Sequence, residues 1–123
     1  MIISELIIPR EWGVEIKYIE SYKIFNENYF EIIELAMKTC KLIGKKRILF
    51  DLTLHTQKVD ILKLHRTLTL MHQYMGSGGR IANITPDLMP ENNVLLVENN
   101  GYLRGVFILY FPNRDKAMNW LLS

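Results

Sequence analysis

The first third of the chain changes from an alternating to a helical pattern of apolar residues. Residues Ile3 to Ile8 are mostly aliphatic, and from Gly13 to Glu20 apolar positions alternate with charged ones. Both stretches are typical of β-strands. Because the connection from Pro9 to Gly13 is too short to cross over a sheet, we predict that the two strands pair antiparallel around a turn.

From Asn26 to Ile43 the apolar residues recur with helical spacing, and glutamates and lysines fall on another arc. This pattern predicts an amphipathic helix. Cys40 lies inside the apolar arc and is interpreted as a small buried hydrophobic residue. Further aliphatic residues widen the arc, and we expect a neighbouring helix or a second copy of the chain to cover them: Ile32, Leu35 and Leu42. Together with the aliphatic N-terminal strand, they form the apolar patch on which the prediction of a homodimer is based.

The middle of the chain places a strand, a helix and another strand in succession. Residues 47–53, RILFDLT, form the nearly continuous apolar run expected of a strand buried on both faces of a parallel sheet. A helix is predicted from Asp60, its N-cap, to Met75, followed by a short strand over residues 80–85.

The last third repeats this alternation. A helix is predicted from Pro90 to residue 99, a strand over residues 105–111, and a final helix capped by Asn113. The order ββαβαβαβα predicts an α/β fold whose mixed sheet is mostly parallel, with an antiparallel strand at the N-terminus. One domain over residues 1–123 accounts for the whole sequence.

The stretch QYMGSGGRIANIT, residues 73–85, superficially resembles a phosphate-binding loop. Such a loop needs glycines that leave a strand and open a helix, whereas these glycines leave a helix and enter a strand. Ile81 also occupies the place of the third glycine in a dinucleotide-binding pattern. We therefore interpret the tract as a helix stop and a hinge into the sheet.

Composition narrows the classes of function. Fifteen basic and 13 acidic residues give a net charge of +2, and the one basic cluster, Lys45 to Arg47, follows a predicted helix end, where cations are favourable. No apolar run approaches the ~20 residues of a membrane helix. A single cysteine and the lack of an export leader favour the cytoplasm. We expect a soluble, cytoplasmic protein that binds no nucleic acid.

Polar residues follow several of the predicted strands. If these strands are parallel, their carboxyl ends meet at one edge of the sheet, which is where open α/β sheets bind ligands. We expect the rim formed by residues 52–60, 85–90 and 111–114 to bind a partner or ligand. The candidate residues are Thr53, His55, Thr56, Asp60, Thr85, Asp87, Asn113 and Arg114.

The element order, the LFDLT sequence before a helix and the closing FPNRDKAMNWLL resemble SpoIIAA-like proteins, relatives of the STAS domain of anti-sigma-factor antagonists. The resemblance extends from about Gly13 to Leu122 and implies a SpoIIAA-like fold. It also implies a non-enzymatic, regulatory domain that binds a protein partner or a small anionic ligand. It is carried best by the closing pattern of Gly101, Val106-Phe107, Ala117 and Trp120-Leu121.

In the antagonists of that family, a serine at the start of the helix after the third strand is phosphorylated. The corresponding positions here are Val59, Asp60 and Ile61, none of which can accept a phosphate. The resemblance therefore implies a binding module without this switch. Asp60 is interpreted as a helix cap, where its charge stabilises the helix by ~0.3 to 1 kcal/mol.

Other classes of function remain open from the sequence. A hydrolase-like enzyme would use Asp51 and His55, although no nucleophile-elbow motif is present. A lipid-binding or apolar-ligand-binding domain would contain an apolar cavity between sheet and helices. His65 and His72 are roughly 10 Å apart along one helix, too far to chelate one ion together, and are interpreted as residues at the border of the core. No metal or cofactor is expected.

Overall fold

The computed structural model describes residues 3–17, 19, 22–52, 61–85 and 105–123. Within these residues the chain forms five strands and three helices, in an α/β arrangement. The strands are β1 (Ile7–Arg10), β2 (Gly13–Ile16), β3 (Arg47–Asp51), β4 (Arg80–Ile84) and β5 (Phe107–Phe111), and the helices are α1 (Tyr22–Ile43), α2 (Ile61–Met75) and α3 (Arg114–Leu121).

The strands form one mixed sheet in the order β1-β2-β3-β4-β5. The pair β1 and β2 is antiparallel, and every other neighbouring pair is parallel. Arg47 at the start of β3 lies opposite Arg80 at the start of β4, and Asp51 at the end of β3 lies opposite Ile84 at the end of β4, so these two strands run in the same direction, as predicted. The carboxyl ends of β2 to β5 therefore lie along one edge, here called the C-terminal edge.

Helices cover the sheet on both faces, because alternate residues of each strand point to opposite sides. On the α1/α2 face, Ile48 and Ile81 pack against apolar residues of α1 and α2 in the larger core. On the α3 face, Leu49 and Ala82 pack against Ala117 and other residues of α3 in a smaller core. The two cores together bury 23 hydrophobic residues within the described part of the chain, which holds the sheet between two helical layers.

Glycines end α1 and α2, as the sequence predicts. Gly44 and Gly76 follow α1 and α2 with φ of 69°, the left-handed conformation that side chains disfavour. The Gly76 N–H donates to the His72 carbonyl at 3.2 Å, which closes the last turn of α2. The chain then enters β4, so the glycine tract lies at the edge of the sheet opposite to the C-terminal edge.

The N-terminal segment differs from the prediction of a strand over residues 3–8. Ile3–Leu6 forms a 3-10 helix, and the strand occupies Ile7–Arg10 instead. The 3-10 turn brings Ile3 and Leu6 to the same side, where both contact the larger core. Pro9 lies within the strand and not in the turn, which is tolerated because β1 is an edge strand.

Other elements differ from the prediction mainly in length. The first helix begins at Tyr22, earlier than predicted, and its two segments meet at Asn28, whose φ of −116° and ψ of 15° are not helical. The second strand ends at Ile16, earlier than predicted. The helix predicted from Pro90 to residue 99 lies outside the described residues.

The apolar surface predicted on the first helix does not form as a unit. Ile32 is fully buried in the larger core, Leu35 is half-buried, and Leu42 is 87% exposed. A homodimer through these residues therefore stays a prediction that only Leu35 and Leu42 support. Cys40 is buried as expected, and burial raises the pKa of its thiol to about 11, so it is an inert core residue.

Candidate functional site

The structure describes three of the eight residues predicted to form the binding rim. Thr85 directly follows β4, and Asn113 and Arg114 lie at the start of α3. These three do not form one surface, because they belong to opposite faces of the sheet. The other five lie outside the described residues: Thr53, His55, Thr56, Asp60 and Asp87.

Asn113 has a structural role as the N-cap of α3. Its backbone is extended, and its Oδ1 accepts a hydrogen bond from the Lys116 backbone N–H at 3.0 Å. The bond satisfies one of the amide groups left free in the first turn of α3, and it confirms the predicted N-cap. The acceptor oxygen of Asn113 is therefore committed to the helix end.

Arg114 is also used within the fold, in a two-pronged ion pair with Glu15 of β2. Its two terminal nitrogens donate to the two carboxylate oxygens at 2.9 and 2.8 Å, and Arg10 Nε lies 3.3 Å from the same carboxylate. The hydrogen bond from Arg114 holds the pKa of Glu15 below its usual value. This network ties α3 to a strand near the start of the chain.

Thr85 belongs to the other side of the sheet. Along β4, Ile81 faces the larger core, whereas Ala82 and Ile84 face α3. Alternation therefore directs Asn83 and Thr85 toward the α1/α2 face. Both residues are almost fully buried, with 5% and 4% of their surface exposed.

Asn83 stands in the middle of a row of side chains that crosses three strands. Its Cα partners are Phe50 on β3 and Tyr110 on β5. Neighbouring strands are about 4.8 Å apart, so the three side chains are adjacent on the α1/α2 face. The row lies in the C-terminal half of the strands, one residue from the C-terminal end of β4.

Tyr29 of α1 lies over this row. Its ring stacks on Phe50, with 6.3 Å between the ring centroids and an interplanar angle of 16°. Burial raises the pKa of Tyr110, and the nearby Tyr29 adds to this shift. Burial also raises the pKa of Tyr29, which a hydrogen bond with Thr67 of α2 partly offsets. Both phenols are therefore neutral at physiological pH.

These residues form an inner polar cluster, defined as Tyr29, Thr67, Asn83, Thr85 and Tyr110. Thr67 is hydrogen-bonded, because its hydroxyl donates to the Lys63 carbonyl at 2.8 Å. In contrast, no hydrogen bond reaches the side chains of Asn83 and Thr85 within the part of the chain that the structure describes. Buried polar groups without a partner are rare in proteins and cost about 1–3 kcal/mol each.

Sequence reasoning included Thr85 among the candidates but missed Asn83. The signal was present, because RIANIT places one asparagine inside an otherwise apolar strand that lies at the centre of the predicted sheet. An amide at such a position is buried and needs a partner. What the sequence does not give is the set of neighbours, since Tyr29 and Tyr110 come from distant parts of the chain.

Three of the alternative catalytic and metal-binding residues lie in the described part of the chain, and none of them joins this cluster, whereas His55 lies outside the described residues. Asp51 alternates with Leu49 and so lies on the α3 face, where its charge contributes to raising the pKa of Arg114 after the larger effect of Glu15. His65 and His72 are exposed on α2. Among the described residues, no group of three or more histidine, cysteine, aspartate or glutamate side chains is placed to hold a metal ion.

The described structure contains an open groove of about 350 Å³ on the outer side of α1. It lies on the surface and is lined partly by charged residues, so it is not the apolar cavity between sheet and helices that a lipid-binding domain predicts. Its lining residues are Ile3, Glu31, Glu34, Leu35 and Lys38. None of the helices in the described ranges has both the length and the apolar character to cross a bilayer.

Comparison with known proteins gave no match to a family model, to a curated protein or to a solved structure. The general α/β architecture is established by the sheet and its helices. The relationship to SpoIIAA-like proteins stays a prediction from the sequence pattern.

Proposed function

We propose that this chain is a non-catalytic binding module that takes up a small ligand at the C-terminal edge of its parallel strands, between the sheet and the α1/α2 layer. The observation that carries the proposal is the pair of buried side chains that receive no hydrogen bond from any described residue, Asn83 and Thr85. A bound molecule that pairs with them would remove the free-energy cost of burying them. Strained or unpaired groups of this kind are concentrated at functional sites.

The position of the pair supports a ligand site. Open α/β sheets bind their ligands at the carboxyl ends of parallel strands. Asn83 and Thr85 lie at that end of β4, which is flanked on both sides by parallel strands. The site therefore combines the favoured place in this class of fold with two polar side chains that no described residue satisfies.

The protonation states of three described groups, two in the cluster and one on the opposite face of the sheet, support binding over catalysis. Glu15 is held as a carboxylate by Arg114, and the phenols of Tyr29 and Tyr110 are held in their neutral form. A general base or nucleophile needs a pKa near the working pH, and none of these three groups has one. The resemblance to SpoIIAA-like proteins, which implies a regulatory binding domain, supports the same class of function.

Native mass spectrometry tests the proposal. The purified protein is incubated with a protein-free extract of small molecules from its source organism, and the retained mass is recorded for wild type, Asn83→Leu and Asn119→Leu. Asn119 lies on the exposed side of α3, so the last variant controls for loss of an amide elsewhere. We expect wild type and Asn119→Leu to retain the same small molecule and Asn83→Leu to retain at least tenfold less.

The same experiment separates binding from catalysis. The retained molecule should have the same mass after minutes and after hours of incubation, and its amount in the extract should not decline. Conversion of the molecule to a product would show an enzyme and refute the non-catalytic proposal. Equal retention by wild type and Asn83→Leu, or retention by neither, would refute the proposed site.

A further inference from the structure

We infer that the ligand is a neutral, flat aromatic or heteroaromatic molecule that carries an amide-type edge, with one hydrogen-bond donor next to one acceptor. This inference rests on the proposed binding site around Asn83. It adds the chemical class of the ligand, which follows from three properties of the cluster: its hydrogen-bonding groups, its charge and the shape of its neighbours.

The hydrogen-bonding groups select a donor beside an acceptor. The Asn83 amide offers one carbonyl acceptor and one NH₂ donor, and it is complementary to a group that presents the same two functions in reverse. The Thr85 hydroxyl, two residues further along the same face, can either donate or accept. A primary amide, a lactam or the edge of a nucleobase satisfies Asn83 with two parallel hydrogen bonds.

The charge of the surroundings selects a neutral molecule. The members of the inner polar cluster carry no charge at physiological pH, and the carboxylates of Glu15 and Asp51 lie on the α3 face. Two cations near the cluster are engaged with aromatic rings: the Lys63 ammonium lies 5.2 Å from the centre of the Tyr29 ring, and the Arg66 guanidinium lies 4.1 Å from the centre of the Phe30 ring. Burying a charged ligand without a hydrogen-bonded counter-charge would be strongly unfavourable.

The shape of the neighbours selects a flat body. Asn83 lies between the rings of Phe50 and Tyr110, with the Tyr29 ring stacked above Phe50. Aromatic side chains favour ring-shaped partners in stacked or edge-to-face contact, each worth more than its buried area alone. An amide edge on an aromatic ring therefore places its polar atoms at Asn83 and its carbon atoms among the rings.

Benzamide and benzoate provide a matched test, because they share the same ring and nearly the same shape but differ in charge. Each compound is titrated to millimolar concentration into ¹⁵N- and methyl-labelled protein, and chemical shifts of the Asn83 side-chain amide and the Thr85 methyl group are followed by NMR. We expect benzamide to shift both signals in a saturable way and benzoate to bind at least tenfold more weakly. Adenine and nicotinamide, which carry the same type of edge, should compete with benzamide.

Variants of the two polar residues complete the test. Thr85→Val keeps the shape of the side chain but removes the hydroxyl, and Asn83→Leu removes the amide. We expect Asn83→Leu to weaken benzamide binding at least tenfold and Thr85→Val to weaken it severalfold, whereas Asn119→Leu leaves it unchanged. Because all three variants are compared by their own backbone spectra, loss of binding is distinguished from loss of the fold.

The outcomes separate the ligand class from the site. Binding of benzoate that equals or exceeds binding of benzamide would overturn the neutral class, as would benzamide binding that Asn83→Leu does not change. Absence of benzamide binding, in a protein that does retain a small molecule from the cell extract through Asn83, would overturn the class and leave the proposed function intact. Absence of both would remove the proposed function as well.

Discussion

At the scale of the residue, polar side chains differ in their hydrogen bonding between the two faces of the sheet. On the α3 face, Glu15 and Arg114 neutralise each other and Asn113 caps a helix, so polar groups stabilise the fold. On the α1/α2 face, Asn83 and Thr85 are buried deeper but have no such partners among the described residues. This contrast separates residues that support the structure from residues available for recognition.

The ion pair between Glu15 and Arg114 predicts a specific dependence of stability on pH. The pKa of Glu15 is lower in the folded protein than its usual 4.5, so the pair contributes its full stability above that pH and loses it as the pH falls further. Arg114 is about half exposed, so we expect Arg114→Gln to lower the free energy of unfolding by only about 0.5–1 kcal/mol at pH 7.

Urea denaturation of wild type and Arg114→Gln at a series of pH values measures this effect. The difference between the two proteins should shrink as the pH is lowered from 5 to 3. Lys45→Gln removes an exposed charge on the loop after α1 and serves as the control, for which we expect little difference at any pH. A difference for Arg114→Gln that stays constant down to pH 3 would contradict the role assigned to Glu15.

At the scale of the element, the glycines show how backbone geometry sets the sheet. Gly13 begins β2 where this strand passes beside Arg47 of β3, and a Cβ atom at Gly13 would collide with the Arg47 carbonyl oxygen. Gly44 follows α1 with a positive φ, but a Cβ atom there would meet open space. The two glycines are therefore required for different reasons, close packing in one case and backbone conformation in the other.

Alanine at each position separates these two reasons. Gly13→Ala must push two paired strands apart, so we expect it to lower the free energy of unfolding by about 3 kcal/mol. Gly44→Ala introduces only a disfavoured backbone conformation, for which about 1 kcal/mol is expected. Equilibrium denaturation monitored by circular dichroism provides both values. Equal losses, or a larger loss for Gly44→Ala, would contradict the close approach of β2 and β3.

The elements that the sequence predicts well are those with strong local signals. The short connection after Pro9 indicates an antiparallel pair, and the glycines after Met75 indicate a helix that ends before a strand, so the direction of β3 and β4 follows. The segment Ile3–Leu6 was wrongly predicted as a strand, because its apolar composition does not distinguish a strand from a short 3-10 turn packed on the core.

Side-chain networks were harder to predict because their members are far apart in the sequence. Arg114 and Glu15 are separated by 99 positions, and no local pattern indicates that they meet. The same holds for Asn83, whose neighbours come from α1, β3 and β5. The sequence therefore located the C-terminal edge correctly but not the residues that lie together on each of its faces.

At the scale of the whole molecule, we assign different roles to the two faces of the sheet: the α3 face stabilises the fold, and the α1/α2 face contains the proposed binding site. On the α3 face, Arg80 donates to the carbonyl oxygens of Trp120 and Ser123 at 2.9 and 3.2 Å and so fixes the C-terminal end of α3 to β4. The α1/α2 face contains the larger core together with the inner polar cluster. The proposed site depends on one property of the free protein, that the buried Asn83 amide has no hydrogen-bond partner among the described residues.

The free energy of unfolding of Asn83→Leu, measured by urea denaturation without added ligand, tests this claim most directly. Leucine has a similar size and needs no hydrogen bond, so we expect Asn83→Leu to be more stable than wild type by about 1–2 kcal/mol. The exposed control Asn119→Leu should not show a comparable gain. A loss of 1 kcal/mol or more in Asn83→Leu would mean that the amide is already hydrogen-bonded within the protein, and it would contradict the account.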